Sequence, residues 1–396
     1  MSTRVGSLHT FLTNNVRSGF DLFLTSEAAG LRGKIGLLSN TASLSQDGRT
    51  VFAALRDSGV NISVIFSPEH GYFGLGRAGE NMPNTQFKTK TNVVPIVSLH
   101  GDLYAPPADL LRPLIAVLVD LQDTGNRWYT YLGTINHLLH TAAETKTPVI
   151  ILDRPNPQGG DVVEGPVAEP AFFSLIAPAA FPARYGLTIG EGALLLNRAI
   201  GADLRVVPLT GWDRIMRYSD TGLHWSSPSP NMPYPDTCLL YSGTCLIEAT
   251  NLSEGRGTAL PFSQIGAPFV DAVVLSDTLN TLNLPGVAFT PAWFRPTILK
   301  YADQDCQGVR VHVTNSQSIR GFTVGLHLLD TLRRLYPSDF QWEITANNDH
   351  WLDRLSATAR LRTALDAGQA VAEIVDWCDH EALAFYDEAQ TLWLYS

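Results

Sequence analysis

The chain has 396 residues, enough for two or three ordinary domains, and its 45% hydrophobic and 17% charged residues describe a well-packed globular protein rather than a disordered one. A formal net charge of -10 argues against non-specific nucleic-acid binding, because phosphates would be repelled, yet a local arginine cluster could still hold an anionic small substrate. Four scattered cysteines with no C-x-x-C pair suggest neither a disulfide framework nor a zinc knuckle, and the absence of about 18 continuous apolar residues leaves no transmembrane helix to expect.

The N-terminal stretch "MSTRVGSLHTFLTNNVRSGFDLF" has no apolar run of secretory-signal length. As written the chain reads as cytoplasmic, or as periplasmic or secreted if a leader had been removed. Beyond it, short apolar runs recur at 34–39, 62–67, 93–99, 114–121 and 148–153, with a further probable strand at 204–209. Nearly continuous apolar runs are what strands covered on both faces require. Helical spacing separates them at 48–59 and 130–146. Strand and helix alternating in this way predict an α/β fold with a Rossmann-like, doubly wound parallel sheet. After a Pro-rich loop at 226–237 the texture changes. Alternation at 309–314 predicts a strand, 324–337 an amphipathic helix stopped by Pro337, and 351–368 further helix. The expected division is a Rossmann-like domain over 1–255 and a smaller α/β domain over 256–396 that closes a cleft.

In doubly wound sheets ligands gather beyond the C-terminal strand ends. Here those positions hold "NTAS" from Asn40, "PEHG" with Glu69 and His70, "QDTGNRWYTY" with Asp123, Arg127 and Tyr129, and "RPNPQGGDVVEGP" with Asn156 and Glu164. A last polar loop, "TNLSEGRGT", carries Asn251, Glu254 and Arg256 near the domain junction. Each cluster also has a structural reading: Glu69 capping a turn, Asp123 capping a helix above core aromatics, the 154–166 loop holding itself together, and Asn251 with Glu254 capping a helix.

Residues 74–79, "GLGRAG", match the G-x-G-x-x-G spacing of a dinucleotide loop. That motif needs a strand directly before it, a helix directly after it and an acid about 20 residues on. The apolar run ends too early, "ENMPNTQFKTKTN" is a poor helix, and "VSLH" supplies no acid. The glycines are better read as a loop able to approach or close over a ligand, and no cofactor is expected. No H-E-x-x-H or comparable spacing suggests a metal, no G-x-S-x-G a serine hydrolase, and no P-loop a nucleotide. Carboxylates with arginines and aromatic platforms remain, which is the equipment of glycoside hydrolysis.

Seven motifs, "GKIGLLSNTA", "SPEHGYFG", "LQDTGNRWYTY", "LDRPNPQGGDVVEGP", "RYGLTIGE", "PSPNMP" and "TNLSEGRGT", stand in the order found in the bacterial exo-β-N-acetylmuramidases of the NamZ type, which the chain resembles from about Leu31 to its C-terminus. The resemblance implies a Rossmann-like domain, a smaller C-terminal α/β domain, and release of terminal N-acetylmuramic acid from the non-reducing end of peptidoglycan fragments. It implies Glu69 as catalytic acid, Glu164 as second carboxylate, and His70 orienting Glu69 or touching the sugar. Arg127 and Arg256 become candidates for the lactyl carboxylate, with Asn40, Asp123, Tyr129, Asn156, Asn251 and Glu254 completing the substrate site. The 2-acetamido group leaves substrate assistance open. The alternatives are a non-catalytic or differently specific binder of amino sugars or cell-wall fragments on the same scaffold and, more remotely, a nicotinamide oxidoreductase.

Overall fold

A computed structural model describes residues 16–88 and 93–396; the segment 1–15, on which the reading about a leader rests, and residues 89–92 lie outside the described residues. The first half is built on a seven-stranded sheet. Its strands are β1 (Ile35–Ser39), β2 (Ile62–Ser67), β3 (Thr85–Lys88), β4 (Val93–Ser98), β5 (Ala116–Asp120), β6 (Val149–Leu152) and β7 (Leu204–Val207), in the order β3-β4-β2-β1-β5-β6-β7. All neighbours run parallel except β3, which pairs antiparallel with β4 as an edge strand. Its residues Thr85, Gln86 and Lys88 are exposed, the polar surface that keeps a free sheet edge from pairing with another chain.

Without β3 the order is that of a doubly wound dinucleotide-type fold, with the switch point between β1 and β5. Among the described residues five helices accompany the sheet: α1 (Gly19–Ser26), α2 (Val51–Asp57), α3 (Ala108–Leu111), α4 (Tyr131–Thr145) and α5 (Ile189–Ile200). The period of two along each strand divides the core. Leu37, Ile65 and Leu118 pack with Phe20, Phe23, Phe52 and Leu55 of α1 and α2. Leu38, Phe66 and Val119 pack on the opposite face with Leu132, Ile135 and Leu196 of α4 and α5. β1 and β5 are buried at every position, which is why both read as unbroken apolar runs.

The second core continues into the C-terminal half. α6 (Pro235–Thr244) starts on a proline inside the segment read as loop; Pro is preorganised for the first helical position and its missing N–H is not needed there. A smaller antiparallel sheet follows, of β8 (Gln264–Ala267), β9 (Val287–Phe294) and β10 (Cys306–Val313) in the order β8-β10-β9. Around it lie α7 (Ala272–Asn280), α8 (Gly321–Leu335), α9 (Trp351–Ser356), α10 (Arg360–Asp366) and α11 (Val371–Ala389). α6 and α8 meet backbone to backbone. A Cβ at Gly243 would lie 2.0 Å from the Gly321 carbonyl oxygen, so only glycine permits this approach. Among the described residues no helix is long and apolar enough to cross a membrane.

Candidate active site

β2 ends at Ser67 and the chain turns sharply, with the Gly71 N–H bonded to the Pro68 carbonyl. His70 takes a φ of 71° in this turn, a left-handed conformation uncommon outside glycine and worth tracing to function. The turn sets Glu69 and His70 at the C-terminal edge of the sheet. Glu69 Oε2 accepts a hydrogen bond from Thr130 Oγ1 at 2.9 Å. Thr130 precedes α4 but does not cap it with its side chain, because its own φ of -68° and ψ of -5° are already helical, and its hydroxyl donates to Glu69. Glu69 Oε1 accepts from the Gly79 N–H at 2.6 Å, and His100 Nε2 stands 3.7 Å from the same oxygen. His70 Nδ1 lies 2.9 Å from the Gly76 carbonyl oxygen. A carbonyl only accepts, so Nδ1 carries the proton and Nε2 keeps its lone pair. Burial pushes the His70 pKa below its ordinary value, with the Glu69 charge opposing, so the imidazole is held neutral.

Glu69, His70, Ala78, Tyr129 and Arg256 share one cavity of about 40 Å³, walled by Trp128, Tyr241 and Phe262 and closed on one side by Ser229, Asn231 and Met232. Two further hollows adjoin this region. One of about 320 Å³ runs from Asn40 past Phe73 and Gly74 to 226–230 and shares Ser229 with the first. The other, about 270 Å³, lies between Asn81–Asn84 and Ser98, Asp102 and Leu103. The segment 73–84 is a wall of all three. Gly74 and Gly79 have φ of 68° and 73° with no atoms within 4 Å of where a Cβ would stand, whereas Gly76 is pressed against Met82 and His70. Beyond Gly79 the chain runs into edge strand β3 without a helix, so the geometry of a dinucleotide loop is not formed.

Arg256 reaches the cavity from the C-terminal half. Its Nη2 is 2.7 Å from Glu248, its Nη1 is 3.1 Å from Glu254, and its guanidinium lies 4.7 Å above the Phe262 ring. Burial opposes the charge, but Glu248 and Glu254 outweigh it and hold the pKa above the ordinary arginine value. Asn40 donates to Tyr131 Oη at 2.7 Å and accepts from the Ala42 N–H, while Tyr131 donates to the Pro228 carbonyl. This chain ties the end of β1, the start of α4 and the Pro-rich loop together.

Other expected site residues are held elsewhere. Arg127 is fully buried and donates to the carbonyls of Pro166, Phe181 and Leu355 at 3.0 Å each, with no surface left for a substrate carboxylate. Glu164, 1% exposed, is bound by Arg184 at 3.0 Å and lies 3.4 Å from Arg320 Nε, and it is not among the residues lining the Glu69 cavity. Asp123 accepts from the Gly125 N–H and the Tyr185 hydroxyl, and burial pushes its pKa up to about 6. Asn156 bridges Gln158 N–H and the Leu187 carbonyl, and Asn251 bridges Gln341 N–H and the Asp339 carbonyl. Glu254 serves Arg256. These groups brace the loops that shape the site and do not face the cavity.

Family comparison agrees with this architecture over nearly the whole chain. The N-terminal domain of "Exo-beta-N-acetylmuramidase NamZ" matches residues 35–236 and its C-terminal domain matches residues 239–395. The chain belongs to the NamZ exo-β-N-acetylmuramidase family. It is 38% identical over 365 residues to the peptidoglycan β-N-acetylmuramidase NamZ of Bacillus subtilis (strain 168), covering 91% of this chain and 87% of that protein. Two crystal structures of DUF1343 family proteins from Bacteroides fragilis NCTC 9343 superpose with TM-scores of 0.87 and 0.73, at 28% and 26% identity, each covering 96% of this chain and 99% of the other.

Around the Glu69 cavity, sequence reasoning missed Thr130 and His100 as partners of Glu69, and Trp128, Tyr241 and Phe262 as walls. His100 was within reach: it lies just past β4, where the strand-end rule that found Glu69 applies equally. The aromatic walls carry no local signal, since Tyr241 and Phe262 look like any core residue. Among the described residues no group of His, Cys, Asp or Glu is placed to hold a metal ion. What the cavity offers is one carboxyl group, a neutral imidazole, aromatic walls and one guanidinium.

Proposed function

We propose that this chain is a glycoside hydrolase that removes terminal N-acetylmuramic acid from the non-reducing end of peptidoglycan-derived saccharides, with Glu69 as its catalytic acid. The observation that carries the reading is the setting of Glu69: a nearly buried carboxyl past a central strand, beside a neutral imidazole, inside an aromatic-walled cavity. Glu69 would give its proton to the glycosidic oxygen as the bond to the anomeric carbon breaks. In the closed arrangement the Gly79 N–H can only donate, so Oε1 must be an acceptor there. Displacing the 73–84 segment frees that oxygen, and it also opens the 40 Å³ cavity, which is too small for a hexosamine, toward its larger neighbours.

Among the described residues Glu69 is the sole carboxylate lining this cavity, which favours substrate assistance. The sugar's own acetamido oxygen would bond to the anomeric carbon as the leaving oxygen takes the Glu69 proton, and water would then open that ring. His70 Nε2, with its free lone pair, is the group proposed to take a proton from that water. Of the two arginines expected at the lactyl carboxylate, Arg256 alone faces the cavity, where Glu248 and Glu254 already balance part of its charge. A chromogenic β-N-acetylmuramide tests the reading: release of the chromophore, lost in Glu69→Gln, supports it. Tight binding with no turnover supports a sugar-binding role on the same scaffold instead.

A further inference from the structure

A larger concavity stands apart from the cavity at Glu69 and shares no lining residue with it. It holds about 830 Å³ and brings together three stretches far apart in sequence, Tyr104, 171–176 and 348–354. That volume suits an organic ligand of several rings. Its lining is aromatic: Tyr104 is 45% and Phe173 44% exposed, and the half-buried Phe172 and Trp351 join them. Half-exposed rings of this kind offer flat apolar faces with a wet edge, which is what the faces of a pyranose match. The charged side chains in the wall are spent on one another or on neighbours, Asp349 with Arg354 and Asp353 with Arg362. The cleft is therefore close to neutral in character and suited to an uncharged sugar more than to an acidic peptide.

Tyr104 links this cleft to the proposed chemistry. Its ring stands edge-on to His100 at 5.8 Å between centroids, and His100 Nε2 is 3.7 Å from Glu69 Oε1. The cleft thus begins two side chains from the acid. We infer that it holds the saccharide on the leaving-group side of the scissile bond, the N-acetylhexosamine units that follow the terminal residue, with Phe173 and Tyr104 stacking on their faces. This inference rests on the glycosidase reading above and adds to it the part of the substrate that decides chain-length preference. With the 73–84 segment displaced, the widened cavity at Glu69 would take the terminal sugar and the open, aromatic cleft the remainder, which is the division of labour an exo-acting enzyme needs.

Phe173→Ser is the first variant, because the side chain is exposed and outside the buried core. Two substrates are compared, a chromogenic N-acetylmuramide with a small leaving group and a muramic-acid-terminated hexosamine tetrasaccharide. The expected result is a fall of about tenfold in kcat/KM on the tetrasaccharide, no change on the chromogenic substrate, and recovery in Phe173→Trp. An equal fall on both substrates, or none on either, overturns the inference. Should the wild-type protein hydrolyse neither, the glycosidase reading fails, and calorimetric titration with the tetrasaccharide judges the cleft alone: affinity lost in Phe173→Ser sustains it, unchanged affinity or no binding overturns it.

Discussion

Replacing Glu69 with glutamine separates chemistry from structure more cleanly than any other change in this protein. The amide is nearly isosteric with the carboxyl group. Its oxygen can take the place of Oε1 and keep accepting from the Gly79 N–H, while its NH2 turns to Thr130 Oγ1, which accepts by rotating its hydrogen. Both hydrogen bonds survive in altered form, so the stability cost is about 1 kcal/mol. The amide cannot deliver a proton to a departing oxygen. General acid catalysis contributes about 10²–10⁴-fold, so kcat should fall by that factor, equivalent to about 3–5 kcal/mol in the barrier. The assay is steady-state hydrolysis of two muramides, one with a nitrophenol and one with a sugar as leaving group, alongside denaturant unfolding. The deficit should be larger for the sugar, because a poor leaving group depends more on protonation. A folded Glu69→Gln protein that keeps kcat within tenfold on both substrates would refute the assignment.

Arg127→Met removes the donor to three buried carbonyls and should cost about 3–5 kcal/mol of stability in urea unfolding, with the activity of the folded fraction retained. A selective rise in KM without loss of stability would return Arg127 to the substrate site. Glu164→Gln leaves the buried Arg184 guanidinium without its counter-charge and should destabilise by about 3 kcal/mol while leaving kcat within a few-fold. A loss of 100-fold or so in kcat at unchanged stability would instead restore it as the second carboxylate. Burial pushes Asp153 up to about 7, against the Tyr395, Thr188 and Gly190 hydrogen bonds. Its folded pKa lies above its unfolded one, so its contribution is complete below about pH 4 and is lost as pH rises through 7. Asp153→Asn, which keeps the neutral shape, should flatten the decline of unfolding free energy between pH 4 and 7, and parallel profiles for the two proteins would contradict this.

Where a structural requirement is local, the sequence carries it openly. A strand covered on both faces must be apolar throughout, so β1, β2, β5 and β6 could be read to within a residue or two. Pro337 ends α8 for reasons held in the residue itself. Strand β3 was missed because a polar edge of four residues has no such signature, and α6 because its opening proline looks like loop until it is seen at a helix start. The position of Glu69 was legible for the same local reason, one step past a buried strand.

Its partners were not. Thr130 is 61 residues away from Glu69 and meets it only because β2 and the start of α4 open on the same edge of the sheet. Arg127 and Arg256 show the limit most sharply. Each follows a polar loop and each looked able to hold a carboxylate. Packing decided between them: three carbonyls enclose Arg127 in the interior, while Phe262 and two glutamates hold Arg256 at the cavity wall. Residue type and spacing determine what a side chain can do. Which surface it faces is settled by contacts between distant segments, and no local pattern encodes those.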